Sequence, residues 1–465
     1  MLHTQAFRLV SVLIAGPRRN CVLTLRNVET YSRGNPTSAL DGCYPGLTTD
    51  RSRPMFDVIV VGARCAGSPV AMLLARRGHR VLMVDRSSFP SDAVSTHYIH
   101  QAGLSRLQAW GLLDEVIDAK TPAIRKMNYV NHGIPLTGFA DPIDGIDAVY
   151  CPRRVVLDEI LVNAARRAGV EVLEQFTVSD LVFSEGRVVG IRGREGDGPE
   201  QEFRSTVVVG ADGFHSTVAR KVGAELYNVR PAAGFTYYSY YSGLDWGLHH
   251  KTGFHEQWFG TWPTNGDVNM VAVICTRRQL KEFRQDPEAR FLAVFDDVEP
   301  EMGAQLREQG RREEPLRPMR YPDNYYRRSH GPGWALVGDA GYHKDPITGW
   351  GMTDAFLHGE LLADRIHEAL SGERTMDDAL ADYVKVRDEE SAPVYDYTTA
   401  MAELTLDPYL EAVLGAISTS QEWTTKMLGM IAGGVEGHEL FAPDNLERIY
   451  DDAGVPEHKR IYEPS

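Results

Sequence analysis

Lysine and cysteine are both scarce in this chain of 465 residues. Only nine of its 49 basic residues are lysines, and none of these precedes Lys120. The cysteines form no CxxC pair and no cluster with histidine; they are Cys21, Cys43, Cys65, Cys151 and Cys275. A disulfide framework and a zinc site are therefore not expected, and a reducing cytoplasm is the predicted location.

Long apolar runs and an excess of positive charge are also lacking. No apolar run approaches the ~20 residues that cross a bilayer, so no membrane contact is expected. The net charge of −15 argues against nucleic acid or an anionic membrane surface as the main partner. With 24% charged and 43% hydrophobic residues, the chain has the composition of an ordinary globular protein with roughly two or three domains.

Residues 1–54 differ from the rest of the chain. Seven arginines against three acidic residues give this segment a charge of +4, and it is rich in Gly, Pro, Ser, Thr and Asn. Its apolar run is too short for a clear signal peptide. We predict that residues 1–54 are a disordered N-terminal extension. Met55, which follows it, directly precedes the first strand.

A βαβ unit with a dinucleotide-type turn follows. The β-branched run Val58–Val61 predicts a buried parallel strand, the stretch from Ser68 to about Arg77 a helix, and Arg80–Asp85 the next strand. A helix N-terminus offers free N–H groups and a positive dipole to a pyrophosphate, and an acidic residue after the second strand accepts ribose hydroxyls. The cofactor-binding residues predicted here are Gly62, Ala63, Cys65, Ala66, Gly67, Asp85 and Arg86.

Arg64 occupies the place of the middle glycine of the GxGxxG pattern. Its side chain must therefore point away from a phosphate or reach round to pair with it. Cys65 sits where a helix dipole lowers a thiol pKa, but we expect it to be a small residue tolerated beside the phosphates. The pyrophosphate assignment thus depends more on the flanking strands than on the glycines.

Two segments further along resemble flavoprotein monooxygenases related to para-hydroxybenzoate hydroxylase. The run from Asp212 and Gly213 to Arg220 resembles the family's DGxxSxVR motif, with one extra residue before the arginine. In that family the motif lies near both FAD and the nicotinamide donor. The segment Cys151–Asp158 is similar to the family's RxxLD segment, which sends an arginine to the flavin. Arg154 is the better match for that arginine, with Arg153 second.

The segment Trp334–Gly341 resembles the same family's GD motif. This resemblance implies that Asp339 binds the ribityl hydroxyls. A helix from Met352 to Leu370 would then direct its N-terminal dipole at the flavin ring, where negative charge collects on reduction. The cofactor-binding residues implied for this segment and the DG segment are Asp212, Gly213, Gly338, Asp339, Pro346, Gly349, Gly351 and Met352.

The resemblance covers most of the chain after residue 55, and it implies an α/β fold with an α+β substrate layer. A discontinuous Rossmann-like FAD-binding domain of glutathione-reductase type would comprise residues 55–227 and 326–392. A mixed β-sheet substrate domain would be inserted at residues 228–325. Helical periodicity from Pro393 onward predicts a helical C-terminal region, residues 393–465.

Aromatic residues are concentrated between residues 235 and 262, on predicted strands joined by an Asn265-Gly266 hairpin turn. Most of them are expected to pack the sheet against a helix layer. We predict that Tyr238, Tyr240 and Trp258 instead line an apolar substrate pocket. The predicted catalytic residues lie in the loops beside the flavin, where several could act as a general base, and no single one is preferred; they are His97, His343, Asp345 and Pro346.

The family resemblance implies an FAD-dependent monooxygenase. Such an enzyme would use NADH or NADPH and O2 to oxygenate an aromatic or lipophilic small molecule, for example in secondary metabolism, through a C4a-peroxyflavin. A reductase or desaturase of the geranylgeranyl reductase kind is the main alternative. A flavoprotein without turnover fits poorly with the full set of motifs. Whether the chain forms a homodimer, or receives reduced flavin from a partner reductase, stays open.

Halogenation is a weaker alternative. Halogenases of this fold need a lysine shortly after the first motif, and here the first lysine is Lys120. Their WxWxIP motif is matched only loosely by Trp258–Pro263.

Overall fold

The computed structural model describes residues 55–462, so the predicted N-terminal extension lies outside the described residues. The strands in chain order are β1 (Phe56–Val61), β2 (Val81–Val84), β3 (Ala123–Ile124), β4 (Met127–Asn131), β5 (Ile134–Gly138), β6 (Val149–Tyr150), β7 (Glu171–Leu173), β8 (Phe176–Ser184), β9 (Arg187–Glu195), β10 (Gln201–Gly210), β11 (Leu226–Arg230), β12 (Gly234–Ser242), β13 (Leu248–Thr252), β14 (Gln257–Thr264), β15 (Val268–Thr276), β16 (Arg311–Arg312), β17 (Arg317–Met319), β18 (Asn324–Arg327), β19 (His330–Gly331), β20 (Trp334–Leu336) and β21 (Tyr342–His343).

The α-helices are α1 (Gly67–Arg76), α2 (Gln101–Ala109), α3 (Leu113–Asp118), α4 (Arg154–Arg167), α5 (Thr217–Lys221), α6 (Leu280–Phe283), α7 (Pro287–Val298), α8 (Pro300–Glu308), α9 (Gly351–Leu370), α10 (Met376–Met401), α11 (Pro408–Ile417), α12 (Gln421–Ala432), α13 (Gly437–Leu440) and α14 (Pro443–Asp452). The predicted mixed α/β fold with a helical C-terminus is confirmed.

The first sheet is parallel at its centre, where its strands run in the order β20-β10-β1-β2-β7. β1 pairs in parallel with both β2 and β10, and β10 pairs in parallel with β20. Because parallel strands end at the same edge, the turns after β1, β2, β10 and β20 lie side by side. Three of these turns carry the dinucleotide, DG and GD motifs, so segments far apart in sequence meet at one edge.

Both faces of this sheet are buried, as the β-branched runs predict. Val58 and Val60 face the largest apolar core, which includes residues of α1, α4 and α9. Ile59 and Val61 point the opposite way, into a second core formed with β8, β9 and α5. The alternation along β1 is the period of two expected for a strand.

The second sheet is mixed and has the order β16-β12-β15-β14-β13-β4-β5, with β17 also paired to β12. Its centre is antiparallel, and the β14–β15 hairpin turns at the predicted Asn265-Gly266, where Gly266 adopts a φ of +85°. β13 pairs in parallel with β4, so two strands from before residue 140 complete the sheet.

The two faces of the second sheet belong to different apolar cores. Tyr238, Tyr240 and Trp258 belong to the core shared with the first sheet. Tyr241 and Phe259 lie on the other face, in an apolar core formed with α7 and α8. The prediction that most of these aromatics pack the sheet against helices therefore holds only for those on the second face.

The last part of the described chain is helical. α10 continues through Pro393, and helices α11 to α14 enclose their own apolar core, which also takes in Leu136 of β5. Among residues 55–462, no helix combines the length and apolar character that a membrane crossing needs.

Arg387 of α10 is 1% exposed and ties this helix to the loops that flank the GD turn. Its guanidinium donates hydrogen bonds to Ser329 Oγ (2.6 Å), to the carbonyl oxygen of Gly341 (3.2 Å) and to Tyr227 Oη (2.9 Å). Asp388 balances its charge at 2.6 Å. A single buried cation thus fixes several backbone segments.

We expect the substitution Arg387→Met to lower the free energy of unfolding by about 3 kcal/mol, because it leaves buried acceptors without a donor. The measurement is urea unfolding. Lys385→Met on the exposed side of the same helix is the control and should change stability by no more than about 0.5 kcal/mol. Equal effects of the two substitutions would contradict this assignment.

Candidate functional site

Two glycines let the first turn fit closely against its neighbours. Gly62 has a φ of +106°, and a Cβ placed on it would lie 2.4 Å from the carbonyl oxygen of Ala211. A Cβ on Gly67 would lie 1.8 Å from the carbonyl oxygen of Gly62. Side chains are therefore excluded at both positions.

The GD turn contacts this same first turn. Gly338 has a φ of +60°, and a Cβ on it would meet Ala66 Cβ at 2.7 Å. Asp85, at the end of β2, also contacts the first turn. Its carboxylate accepts hydrogen bonds from the backbone N–H groups of Ala63 and Ser87, both at 2.8 Å. The neighbouring side chain of Arg86 is exposed.

Arg64 extends from the turn into an ionic cluster with Asp158 and Arg154. The fully buried carboxylate of Asp158 accepts hydrogen bonds from Arg154 Nε and Nη2, both at 2.9 Å, and from Arg64 Nη1 at 2.5 Å. Arg64 also donates to Ser91 Oγ at 3.0 Å. The guanidinium of Arg64 is thus bonded to Asp158 and Ser91, and its orientation relative to a bound phosphate stays a prediction.

This cluster holds two guanidinium groups against one carboxylate, so it carries a net positive charge beneath the first turn. Burial opposes the charge on Arg154, but the carboxylate of Asp158 raises its pKa above the ordinary value. Cys65 packs against Asp158 with Sγ 3.5 Å from Oδ1. Burial raises the pKa of Cys65 to about 12, so it remains a thiol, as expected.

Asp212 caps helix α5. It accepts hydrogen bonds from Ser216 Oγ at 2.5 Å and from the backbone N–H of Thr217 at 2.6 Å, while Ser216 itself caps the backbone N–H of Ala219 at 2.9 Å. Burial raises the pKa of Asp212 above its ordinary value. Gly213 adopts a φ of +76° in the turn. The strand–turn–helix geometry expected for this motif is present, and a contact of Asp212 or Gly213 with a cofactor stays a prediction.

Asp339 leaves its carboxylate open at the centre of the site. Its side chain is 45% exposed, and His343 Nδ1 lies 3.4 Å from Oδ1. Its backbone is fixed by Tyr325, whose hydroxyl donates to the Asp339 carbonyl oxygen at 2.5 Å. Desolvation alone would raise the pKa of Asp339, but the hydrogen bond from His343 and the charges of Lys344 and Arg154 lower it below the ordinary value. An ionised acceptor therefore faces open space.

Lys344 supports the start of helix α9 from within the core. Its amine pairs with Asp354 in the first turn of α9, and burial lowers its pKa to about 7. The helix begins at Gly351, followed by Met352, and the preceding Trp350 provides no side-chain cap for its free N–H groups. The predicted helix from Met352 to Leu370 is thus confirmed to within one residue, with its N-terminal N–H groups available.

A cavity lies between the second sheet and the loop 346–349 that precedes α9. Its lining is mostly aromatic or aliphatic and consists of Thr96, Tyr98, Tyr129, Thr236, Leu248, His249, His250, Trp258, Trp262, Met270, Ala272, Ile274, Met319, Pro346, Ile347, Thr348 and Gly349. Of the residues predicted to contact substrate, Trp258 lines this cavity, whereas Tyr238 and Tyr240 share its sheet face without lining it. Gly349 has a φ of +68° and packs against Tyr98.

Asp345 is buried behind the cavity wall. One carboxylate oxygen accepts a hydrogen bond from the Ile347 N–H at 3.1 Å, and the other has no hydrogen-bond partner within the described chain. The Tyr321 hydroxyl faces both Asp345 and Thr236. Burial raises the pKa of Asp345 to about 6. Tyr321 therefore lies between the Asp345 carboxylate, which can accept a proton, and Thr236, which lines the cavity.

His97 lies in a separate polar cluster. It is fully buried with a φ of +59°, an uncommon backbone conformation for this residue. Its Nε2 lies 2.5 Å from Tyr240 Oη, and the guanidinium of Arg153 stacks over the Tyr240 ring at 4.1 Å. Burial, assisted by the charge of Arg154, lowers the pKa of His97 to about 3. His97 is therefore neutral at pH 7 and is bonded to Tyr240 rather than facing the cavity.

Several cavity residues carry no strong signal in the sequence. Tyr129 and His250 are adjacent only because β4 pairs with β13, and their rings stack with centroids 4.4 Å apart. Met319 comes from an edge strand of three residues. The positions of these three residues along the chain do not predict that they line one cavity.

The raised pKa of Asp345 makes a prediction about stability. The folded-state pKa lies above the unfolded value, so unfolding releases a proton between about pH 4 and 6, and the free energy of unfolding falls as pH rises through this window. Asp345→Asn should therefore gain stability relative to the parent protein, by on the order of 1–2 kcal/mol, between pH 4 and pH 7.5. Urea unfolding at both pH values measures it, with exposed Glu389→Gln as control. A difference independent of pH would refute it.

Comparison with known proteins connects this geometry to flavin chemistry. A family model of an FAD-binding domain matches residues 55–398. A 1H-pyrrole-2-carbonyl-[peptidyl-carrier protein] brominase from Pseudoalteromonas luteoviolacea is 24% identical over 331 residues, covering 68% of this chain and 78% of the relative. Digeranylgeranylglycerophospholipid reductase 2 from Methanopyrus kandleri is 27% identical over 371 residues, covering 75% and 86%.

Solved structures share the fold. The crystal structure of pqsL, a probable FAD-dependent monooxygenase from Pseudomonas aeruginosa, superposes with a TM-score of 0.63 at 20% sequence identity, covering 81% of this chain and 99% of that one. With three motif turns at one sheet edge, a fourth motif segment bonded to the first turn through Asp158, and a family match over most of its length, the chain belongs to the FAD-binding family related to para-hydroxybenzoate hydroxylase and is an FAD-dependent oxidoreductase.

Proposed function

We propose that this protein is an FAD-dependent monooxygenase that uses a reduced nicotinamide donor and O2 to oxygenate an aromatic or lipophilic small molecule. The observation that carries the proposal is the aromatic cavity, which lies directly against the loop 346–349 expected to hold the flavin ring. FAD, when bound, supplies the redox chemistry, and the protein supplies binding, orientation and exclusion of water.

The residues present fit FAD. Gly62 and Gly67 leave no room for side chains at the first turn, as the tight turn and close helix–strand packing of a dinucleotide-binding unit require. The net positive Arg64–Asp158–Arg154 cluster favours an anion at that turn. We propose that the open carboxylate of Asp339 accepts ribityl hydroxyls and that Asp85 accepts those of the adenosine ribose.

The domain organisation expected from the family is part of this proposal. The parallel sheet would be the Rossmann-like FAD-binding domain of glutathione-reductase type, formed by residues 55–227 and 326–392. The second sheet, within residues 228–325, would be the inserted substrate domain, with β4 and β5 extending it. Helices of the region 393–465 enclose the core that covers β5.

Asp345 is the best candidate for an acid–base residue among the four proposed from the sequence. His97 is held neutral against Tyr240, and His343 is directed at Asp339. Asp345 has a free oxygen and a pKa raised to about 6 by burial, and it reaches the cavity through Tyr321 and Thr236. Pro346 lines the cavity and shapes its flavin side.

The nicotinamide donor needs an approach to the flavin. An open groove beside the DG turn is lined by His215, Arg220 and Arg327, among others. Its two arginines suit an anionic dinucleotide, and this supports direct reduction by NADH or NADPH. A partner flavin reductase is the other source of electrons that the family resemblance implies.

A C–C reductase or desaturase is the second candidate. The Methanopyrus kandleri reductase and this chain share 27% identity over most of both proteins, and an apolar cavity also suits an isoprenoid chain. Halogenation is disfavoured, although brominases are among the relatives, because the cavity lining contains no lysine and Lys344, the lysine beside the GD turn, is paired with Asp354.

Retention of FAD tests the site. Asp339→Ala removes a charge-assisted acceptor, and we expect the Kd for FAD to rise at least about tenfold. Arg154→Met should also weaken FAD binding, because it removes the excess positive charge of the cluster. Exposed Glu195→Ala is the matched control. The measurement is the flavin absorbance per mole of purified protein; full occupancy in both site variants would refute the assignment.

The reaction class is tested by labelled oxygen. A monooxygenase reaction with labelled O2 and reduced nicotinamide should place one labelled atom in the product for each O2 consumed. Mass spectrometry of product from a panel of aromatic and polyketide-like compounds provides the measurement. A product that gains two hydrogens and no label, with stoichiometric oxidation of the donor, would exclude the monooxygenase and support the reductase.

A further inference from the structure

The cavity wall contains buried hydrogen-bonding groups that lack protein partners. Trp258 and Trp262 are 3% and 6% exposed, and neither indole N–H has an acceptor within the described chain. His250, 8% exposed, has an unpartnered Nε2 beside them. Leaving buried donors unpaired costs free energy, so such groups mark a place where a ligand completes the site.

These groups are brought together by one backbone position. Trp258 and Trp262 lie on the same face of β14, separated by Gly260, which pairs with His250 of β13. A Cβ on Gly260 would lie 2.3 Å from Trp258 Cη2 and 2.8 Å from Trp262 Cζ3. Both indoles therefore cover the backbone of Gly260, and we call these two rings the indole shelf.

The cavity contains no formal charge. Its lining includes no Lys, Arg, Asp or Glu. Its two histidines are neutral at pH 7, because burial lowers the pKa of His250 to about 3 and that of His249 to about 4. A carboxylate or phosphate buried here would lose its hydration without gaining an opposite charge.

We infer that the substrate is a planar, electrically neutral aromatic molecule with a carbonyl or similar oxygen that accepts hydrogen bonds from the indole shelf. The inference rests on the proposed function only in taking this cavity as the substrate site. A substrate that buries only an isoprenoid hydrocarbon here does not meet this requirement, because a hydrocarbon leaves both indole N–H groups without an acceptor.

Three probes of nearly equal size test the inference on the FAD-bound protein. They are 2-acetylnaphthalene, which is neutral with an acceptor; 2-isopropenylnaphthalene, which is neutral without an oxygen; and 2-naphthoate, which is anionic. Affinity is measured from the change in the bound-flavin absorption spectrum, so no turnover is needed. We expect the ketone to bind about three- to tenfold more tightly than the alkene, and at least about tenfold more tightly than the carboxylate.

The double variant Trp258→Phe, Trp262→Phe keeps aromatic surface and removes both N–H groups. The ketone-to-alkene ratio should fall to near one in this variant. Trp423→Phe is the matched control, because that indole N–H is already bonded to Asp452 at 2.7 Å, and it should leave the ratio unchanged.

Equal affinity for ketone and alkene in the parent protein would overturn the inference. So would tighter binding of the carboxylate, a ratio that survives in the double variant, or no saturable binding of the ketone up to its solubility. Failure of the monooxygenase proposal is a separate result, because a protein that inserts no labelled oxygen can still show the ketone preference.

Discussion

The buried contact of Asp158 with Arg154 and Arg64 is the interaction on which the site depends. It joins the first turn of the parallel sheet to helix α4, which follows 94 residues later. A lone carboxylate or a lone guanidinium in this place would be costly, so each partner requires the others. With two cations and one anion, the cluster fixes the turn and retains a net positive charge next to it. It also gives a structural role to the residue that replaces the middle glycine of the motif, because Arg64 is bonded to Asp158.

Alternation along the strands separates packing from recognition. On β12 and β14, successive side chains face either the helices α7 and α8 or the core shared with the first sheet. The aromatic content of this segment therefore serves both the apolar core and the cavity wall. A change of register by one residue would exchange the two sets, so the register pinned by the Asn265-Gly266 hairpin also determines what the cavity presents to a ligand.

Much of this could be predicted because the relevant interactions are local. The first βαβ unit and helix α9 follow from runs, turns and periodicity within short segments. The partner of Arg64 and the stacking of Tyr129 on His250 could not be predicted in this way, since they join residues distant in sequence through sheet pairing. The aromatic content of the segment predicted a pocket wall, but not that Trp258 lines the cavity while Tyr238 and Tyr240 do not, because that depends on the register between strands.

Gly260 has a consequence for how such a pocket can change. The space that a side chain would fill there is occupied by two indole rings, so even a methyl group must displace Trp258 and Trp262, which both line the cavity. The shape of the cavity thus depends on a residue that is not itself part of the lining. A substitution at this position would move two parts of the wall together, without adding a side chain to the cavity.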